Sequence, residues 1–229
     1  MKNVLIVGAS SGIGESLKLN LEQAGMSVYT AGRRPVSSSG HVFFDASSND
    51  DFQIPEGWPS EFHGFVYCPG TINLKPFARL KNEDFLSDFQ VNVLGFASVL
   101  KAVLPSLKKA NGASVVVFSS VASVVGLGFH SSISAAKGAL QSMAISLASE
   151  LAPNQIRVNV IAPSLTNTPL ASTLLNSPEK IEASGKRHPL QRVGNANDIA
   201  SAAAYFLGDN SSWVTGQVLS VDGGMSTLK

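Results

Sequence analysis

The strongest constraint on how this chain folds is an alternation. Seven short β-rich runs, "NVLIVG" (3–8), "SVYTAG" (27–32), "HVFFD" (41–45), "GFVYC" (64–68), "SVVVFSS" (114–120), "IRVNVIAP" (156–163) and "QVLSVD" (217–222), are separated by segments of helical period. Several runs are apolar at consecutive positions, as parallel strands covered by helices on both faces are. Ile13, Leu17, Leu21 and Ala24 repeat on one helical face before Gly25 as a stop. Phe85, Phe89, Leu100, Val103 and Leu107 mark a long helix from about residue 82, and Leu140, Ala144, Leu147 and Leu151 mark another that Pro153 breaks. Asn197 reads as the N-cap of "DIASAAAYFL", which Gly208 ends. The alternation predicts one α/β domain over residues 1–229, built on a doubly wound parallel sheet. Segment 164–195 is rich in Ser, Thr, Asn and Pro and lacks strand signals, which predicts a mobile substrate loop with short helices.

Composition narrows the partners. With 44% hydrophobic residues among 229, the chain can bury a sizeable core. A net charge of +1 with 14% charged residues offers no basic face for nucleic acid or an anionic membrane, so neither is expected as a partner. The single cysteine, Cys68, excludes an intramolecular disulfide and fits a reducing, cytoplasmic setting. The apolar run after Lys2 is too short for a leader peptide and reads as a first strand. No apolar stretch reaches bilayer-spanning length. His41, His63, His130 and His188 show no metal-ligand spacing, and no metal is expected.

Directly after the first strand comes "GASSGIG", which places Gly8, Ser10, Ser11, Gly12, Ile13 and Gly14 on a strand–turn–helix. Glycines let the backbone turn sharply and approach a pyrophosphate, while the helix from about Ile13 aims its N-terminal N–H groups at the anion. The end of the second strand bears on the choice of dinucleotide. An acid there would bind ribose hydroxyls, but the chain has Gly32, Arg33 and Arg34. A guanidinium can hold a 2′-phosphate bidentately, which favours NADP(H) over NAD(H); the plainer alternative is a solvated arginine pair in a turn. Asp45 can accept a hydrogen bond from an adenine amino group or cap the next turn.

With these residues in view, the chain resembles the short-chain dehydrogenase/reductase family. The likeness runs from "GASSGIG" through "VNVLG" (91–95), "FSSVAS" (118–123), "SAAKGAL" (134–140) and "IRVNVIAPSLTNTPL" (156–170) to "VTGQVLSVDGG" (214–224). The resemblance implies a single Rossmann-type domain, a nicotinamide cofactor, a small-molecule substrate, and a homodimer or homotetramer built on two long helices. It also implies a catalytic set of Asn, Ser, Tyr and Lys. Asn92, Ser120 and Lys137 match three of these, and Ile133 occupies the tyrosine position, thirteen residues after Ser120 and four before Lys137.

Hydride addition to a carbonyl builds negative charge on oxygen, which must be neutralised by a proton. Isoleucine has none to give. Tyr29, Tyr67 and Tyr205 all lie on other elements. His130 stands three residues before Ile133, and imidazoles titrate close to neutral pH, so His130 is the first substitute donor. Ser131, Ser132 and a water relayed by Asn92 and Lys137 are others. Lys137 would still reach the cofactor's ribose hydroxyls.

The family's "NNAG" after strand four reads Tyr67, Cys68, Pro69, Gly70 here, and its "PG" after strand six reads Pro163-Ser164. Gly70 keeps the backbone passage under the adenosine ribose. Cys68 reads as a small packed residue, since no base is in view. "LTNTPL" matches the stretch that clasps the carboxamide and phosphates, with Thr168 through its hydroxyl and Thr166 at the backbone-contact position. Ile133 and Phe129 suggest an apolar floor to the substrate site. Two functions follow: an NADP(H)-dependent oxidoreductase interconverting a carbonyl and an alcohol with an atypical proton donor, or a catalytically silent NADP(H)-binding sensor or assembly subunit.

Overall fold

Val4, Leu5, Ile6 and Val7 are all buried, and their side chains alternate between two separate apolar layers. That is the physical meaning of a run apolar at every position: the strand lies in a sheet with no solvent face. The computed structural model describes residues 1–228. In chain order its elements are β1 (Asn3–Val7), α1 (Gly12–Gln23), β2 (Ser27–Gly32), β3 (Gly40–Phe43), β4 (Gly64–Tyr67), α2 (Asn82–Phe89), α3 (Gly95–Lys109), β5 (Ala113–Phe118), α4 (Ser131–Leu151), β6 (Ile156–Pro163), β7 (Thr166–Asn167), α5 (Pro178–Gly185), β8 (Gly194–Asn195), α6 (Ala196–Leu207) and β9 (Val218–Val221).

Seven strands pair in the order β3-β2-β1-β4-β5-β6-β9, all parallel. This is the Rossmann-type doubly wound sheet expected from the sequence. Leu5, Val7, Val115 and Val117 pack under Val99, Val103 and Leu140 of α3 and α4. Val4, Ile6 and Val116 pack on the other face against Leu17 and Leu21 of α1 and Ile199 and Ala203 of α6. The strand order reverses between β1 and β4, which opens a crevice at the carboxyl ends of those strands.

Three sequence expectations need correction here. The N-cap of α6 is Asn195, not Asn197: Asn195 Oδ1 accepts from Asp198 N–H at 2.9 Å, and Asp198 Oδ2 accepts from Asn195 N–H at 2.8 Å, a complete capping box. Asn197 Oδ1 instead accepts from Asn20 Nδ2 of α1 at 3.0 Å. Segment 164–195 holds the expected short helices, but β7 and β8 also pair in parallel, Thr166 with Gly194 and Asn167 with Asn195. Two residues per strand are too few to show a sequence period. Lastly, α2 and α3 form one helical run, Asn82–Lys109, of 28 residues, joined by a π turn over residues 90–94. By length and composition this run is apolar enough to cross a bilayer, contrary to expectation; Phe96, Val99, Val103 and Leu107 along it are core residues against the sheet.

Candidate active site

The crevice at the switch point is a cavity of about 580 Å³ lined by the glycine loop. Gly8 and Gly12 adopt φ of +83° and +58°, conformations that L side chains rarely take. A β-carbon on Gly14 would overlap the carbonyl oxygen of Gly8, so the turn closes only without one. Ser11 stands at the N-cap of α1 but makes no side-chain cap, which leaves first-turn N–H groups to an incoming anion. Ser10, Ser11 and Ile13 line the same cavity, with Pro69 opposite. Arg33 and Arg34 close its far end, and Arg34 Nη2 donates to Ser10 Oγ at 3.3 Å and Ser11 Oγ at 3.4 Å. The guanidinium therefore reaches the glycine loop, although Arg33 and Arg34 are both exposed. Asp45 borders the cavity while its Oδ1 accepts from Ser47 N–H at 2.9 Å and Ser47 Oγ at 2.7 Å. Those bonds hold its carboxyl below the usual carboxylate range. The turn-capping reading of Asp45 is thus realised.

These residues fit a dinucleotide: bare backbone where a pyrophosphate must approach, a helix N-terminus behind it, and a cation at the end of β2. A second cavity of about 400 Å³ shares part of its wall with the first: Ile13, Cys68, Gly70, Thr71 and Thr168 line both. A β-carbon at Gly70 would lie 3.2 Å from Lys137 Nζ and 3.4 Å from Asn92 Oδ1, so glycine lets this strand end press against both.

Ser120, Ile133 and Lys137 line the second cavity together. Ser120 lies just beyond β5, and its Oγ accepts from Ala122 N–H at 3.2 Å. Lys137 and Ile133 are one helical turn apart on α4, both buried. Burial lowers the Lys137 pKa from its ordinary 10.5 to about 8, partly offset by the neighbouring Cys68 and Asp88. Asn92 lies in the π turn, fully buried behind the wall; its Nδ2 donates to the Asp88 carbonyl at 2.8 Å and to Thr71 Oγ1 at 3.1 Å.

His130 reaches the second cavity from the N-cap position of α4, with Nδ1 2.6 Å from the Gly128 carbonyl oxygen. Phe129 does not contribute to the floor. Its φ of +67° turns it outward and leaves it 62% exposed, so the apolar floor comes from Ile133 with Leu165, Leu174 and Met225. Pro163 and Thr166 line this cavity as well. Burial pushes the Cys68 thiol up to about 12, against the pull of Lys137, which makes it a packed thiol and no nucleophile. No tyrosine lines the second cavity; Tyr67, for example, is buried and donates to the Val91 carbonyl at 2.6 Å.

Sequence reasoning missed two arrangements. His188, 1% exposed, places Nε2 2.9 Å from Ser164 Oγ in the cavity wall and Nδ1 2.9 Å from the Ser184 carbonyl oxygen. That pairing spans 24 residues and left no local signal. Asp88 is 1% exposed and holds Thr71 Oγ1 at 2.6 Å. Here a signal existed, since Asp88 precedes Asn92 by one helical turn.

Comparison with known proteins agrees with this geometry. A family model described as enoyl-(acyl carrier protein) reductase matches residues 52–226. A tropinone reductase homologue of Arabidopsis thaliana is 32% identical, covering 98% of this chain and 92% of its own. The structure of a short-chain type dehydrogenase/reductase from Mycobacterium ulcerans superposes with a TM-score of 0.89 at 28% identity, covering all of this chain and 90% of that one. The chain belongs to the short-chain dehydrogenase/reductase family. A glucose 1-dehydrogenase of Gluconobacter oxydans is also similar, 30% identical over 98% of this chain and 92% of its own. Members are oxidoreductases that bind a nicotinamide cofactor, act on small molecules and are commonly oligomeric.

Proposed function

We propose that this chain is an NADP(H)-dependent oxidoreductase that interconverts a carbonyl and an alcohol, with a proton donor other than the customary tyrosine. The observation that carries the reading is that Gly70 and Thr71 line both the glycine-lined cavity and the cavity that Ser120 and Lys137 line. A bound reduced nicotinamide supplies hydride. The chain's own residues do the rest. Gly8, Gly12 and Gly14 let the backbone meet the pyrophosphate, and Arg34, with Arg33 beside it, meets a 2′-phosphate. Pro163, Thr166 and Thr168 edge the nicotinamide end. Ser120 Oγ donates to the substrate oxygen, and the Lys137 ammonium lowers the cost of negative charge there. His130 lies at the same cavity as a further donor.

Ile133 motivates the alternative, a cofactor-binding subunit without turnover. Exposed Leu86, Phe89 and Leu94 on the α2–α3 run and Ile145 on α4 support a homodimer or homotetramer built on the long helices. The single cysteine supports a cytoplasmic setting. The test is consumption of NADPH by the pure protein against a broad panel of small carbonyls, with Ser120→Ala as the control. Turnover above that control is expected, and it would end the silent-subunit alternative. Turnover no higher than the control would end the oxidoreductase reading.

A further inference from the structure

We propose that the substrate is an uncharged ketone or aldehyde on an apolar carbon frame, and not a sugar or polyol. This rests on the oxidoreductase reading and names the substrate class of its site. The wall of the second cavity includes Ile72, Leu127, Ile133, Leu165, Leu174 and Met225. Ile72 and Leu170, at the same cavity, are also left exposed. Apolar surface uncovered beside a cavity is surface that an apolar ligand covers. Ile133 belongs to this wall where the family has a phenol, so the departure that removes a proton donor also removes a polar group from around the substrate.

The polar part of the wall is narrow. Carboxylates and amides are the side chains that take several hydroxyl groups at once. Among the described residues, no Asp, Glu, Asn or Gln lines this cavity. Its hydroxyls are largely engaged within the protein. Thr71 Oγ1 donates to Asp88 Oδ1 at 2.6 Å, Thr166 Oγ1 to the Ser164 carbonyl at 3.0 Å, and Ser119 Oγ to the Lys137 carbonyl at 3.2 Å. His188 Nδ1 faces the Ser184 carbonyl oxygen and so carries the proton of the neutral ring, which leaves Nε2 to accept from Ser164 Oγ at 2.9 Å. Arg187 lines the cavity from an exposed position, where water solvates it.

Ser120 differs. Its Oγ accepts from Ala122 N–H at 3.2 Å, a bond that does not use its own proton. Lys137 Nζ donates to the Phe118 carbonyl and has further N–H groups besides. Ser120 and Lys137, with His130 as a further donor, serve one carbonyl oxygen. A second or third hydroxyl on the substrate would leave water for a wall whose polar groups are already paired, a loss of up to about 10²-fold each. An added methylene gains about fourfold instead.

The test uses the full chain and two sets of compounds. Turnover with NADPH is measured on butan-2-one, pentan-2-one, hexan-2-one and 5-hydroxyhexan-2-one. Binding to the NADPH-loaded chain is measured by calorimetry with hexanamide and gluconamide, amides of equal chain length that are not reduced. kcat/KM is expected to rise about fourfold with each methylene and to fall about tenfold or more with the added hydroxyl. Hexanamide should bind at least about tenfold tighter than gluconamide. Leu174→Asn should weaken hexanamide and raise KM for hexan-2-one by about tenfold, with kcat and NADPH affinity unchanged. If Leu174→Asn does not fold, Ile72→Asn, at an exposed position of the same wall, carries the same expectation. A kcat/KM that is flat or falls with chain length, or gluconamide binding as tightly as hexanamide, would overturn the apolar substrate class and leave the oxidoreductase reading intact. Preferred binding of hexanamide with no turnover of any ketone would overturn the oxidoreductase reading and keep the apolar ligand class.

Discussion

Lys137 Nζ donates to the carbonyl oxygen of Phe118 over 2.7 Å, so the ammonium on α4 is tied to the end of β5 two residues before Ser120. One carbonyl satisfies one of three N–H groups in a buried place, and burial is what brings the Lys137 pKa down to about 8. Between about 8 and the ordinary 10.5, the unfolded chain binds more protons than the folded one, so stability rises with pH across that window. Relative to Lys137→Met, the wild type should gain up to about 3 kcal/mol between the two limits, at about 1.4 kcal/mol per pKa unit. The Cys68 thiol, pushed up to about 12, acts in the opposite sense but is present in both proteins. Urea unfolding at the two ends of the window measures the difference; a difference that stays flat or falls with pH would contradict the lowered pKa.

Two glycines on helices should respond in opposite ways. A β-carbon at Gly14 meets the Gly8 carbonyl, whereas one at Gly138 on α4 meets nothing within 4 Å. Gly14→Ala should cost about 1–3 kcal/mol as an overpacked site and abolish NADPH uptake. Gly138→Ala should stabilise by up to about 1 kcal/mol through helix propensity and leave uptake alone. Denaturant unfolding and a coenzyme fluorescence titration on each variant decide the matter.

Much of this was legible in the sequence because the fold is built from local signals. Val4 to Val7 announced a strand buried on both faces, and Gly8, Gly12 and Gly14 announced the loop after it. What escaped depends on contacts between distant segments. Asn197 looks as good a cap as Asn195 until Asn20 of α1 claims its side chain. Phe129 reads as apolar lining, but its left-handed backbone turns it out. His188 meets Ser164 only because the 164–195 segment is clasped by β7 and β8. The π turn at residues 90–94, which places Asn92, carries no composition of its own.

The arginine pair gives a sharp test of coenzyme choice. With Arg34 Nη2 held over Ser10 and Ser11, Arg34→Asp puts a carboxylate where a 2′-phosphate would lie. NADPH affinity should fall tenfold or more, at about 1.4 kcal/mol per tenfold, while NADH affinity changes little. Arg33→Asp should act in the same direction. Equal losses for both coenzymes in a binding titration would show that no 2′-phosphate is recognised here.

Ile133 lines the cavity beside Lys137, so Ile133→Tyr returns a phenol to within reach of Ser120 and the ammonium. In the wild-type background turnover should rise modestly. Turnover no higher than that of the wild type, with NADPH affinity unchanged, would mean that the missing phenol does not limit the rate.

The most direct measurement is a calorimetric titration of the purified chain with NADPH and, separately, with NADH. Saturable uptake of about one NADPH per chain, tighter than NADH, is the expected result for a glycine loop with a guanidinium above it. No uptake of either coenzyme would contradict the assignment of Gly8, Gly12 and Gly14 as a phosphate cradle, and with it the enzyme.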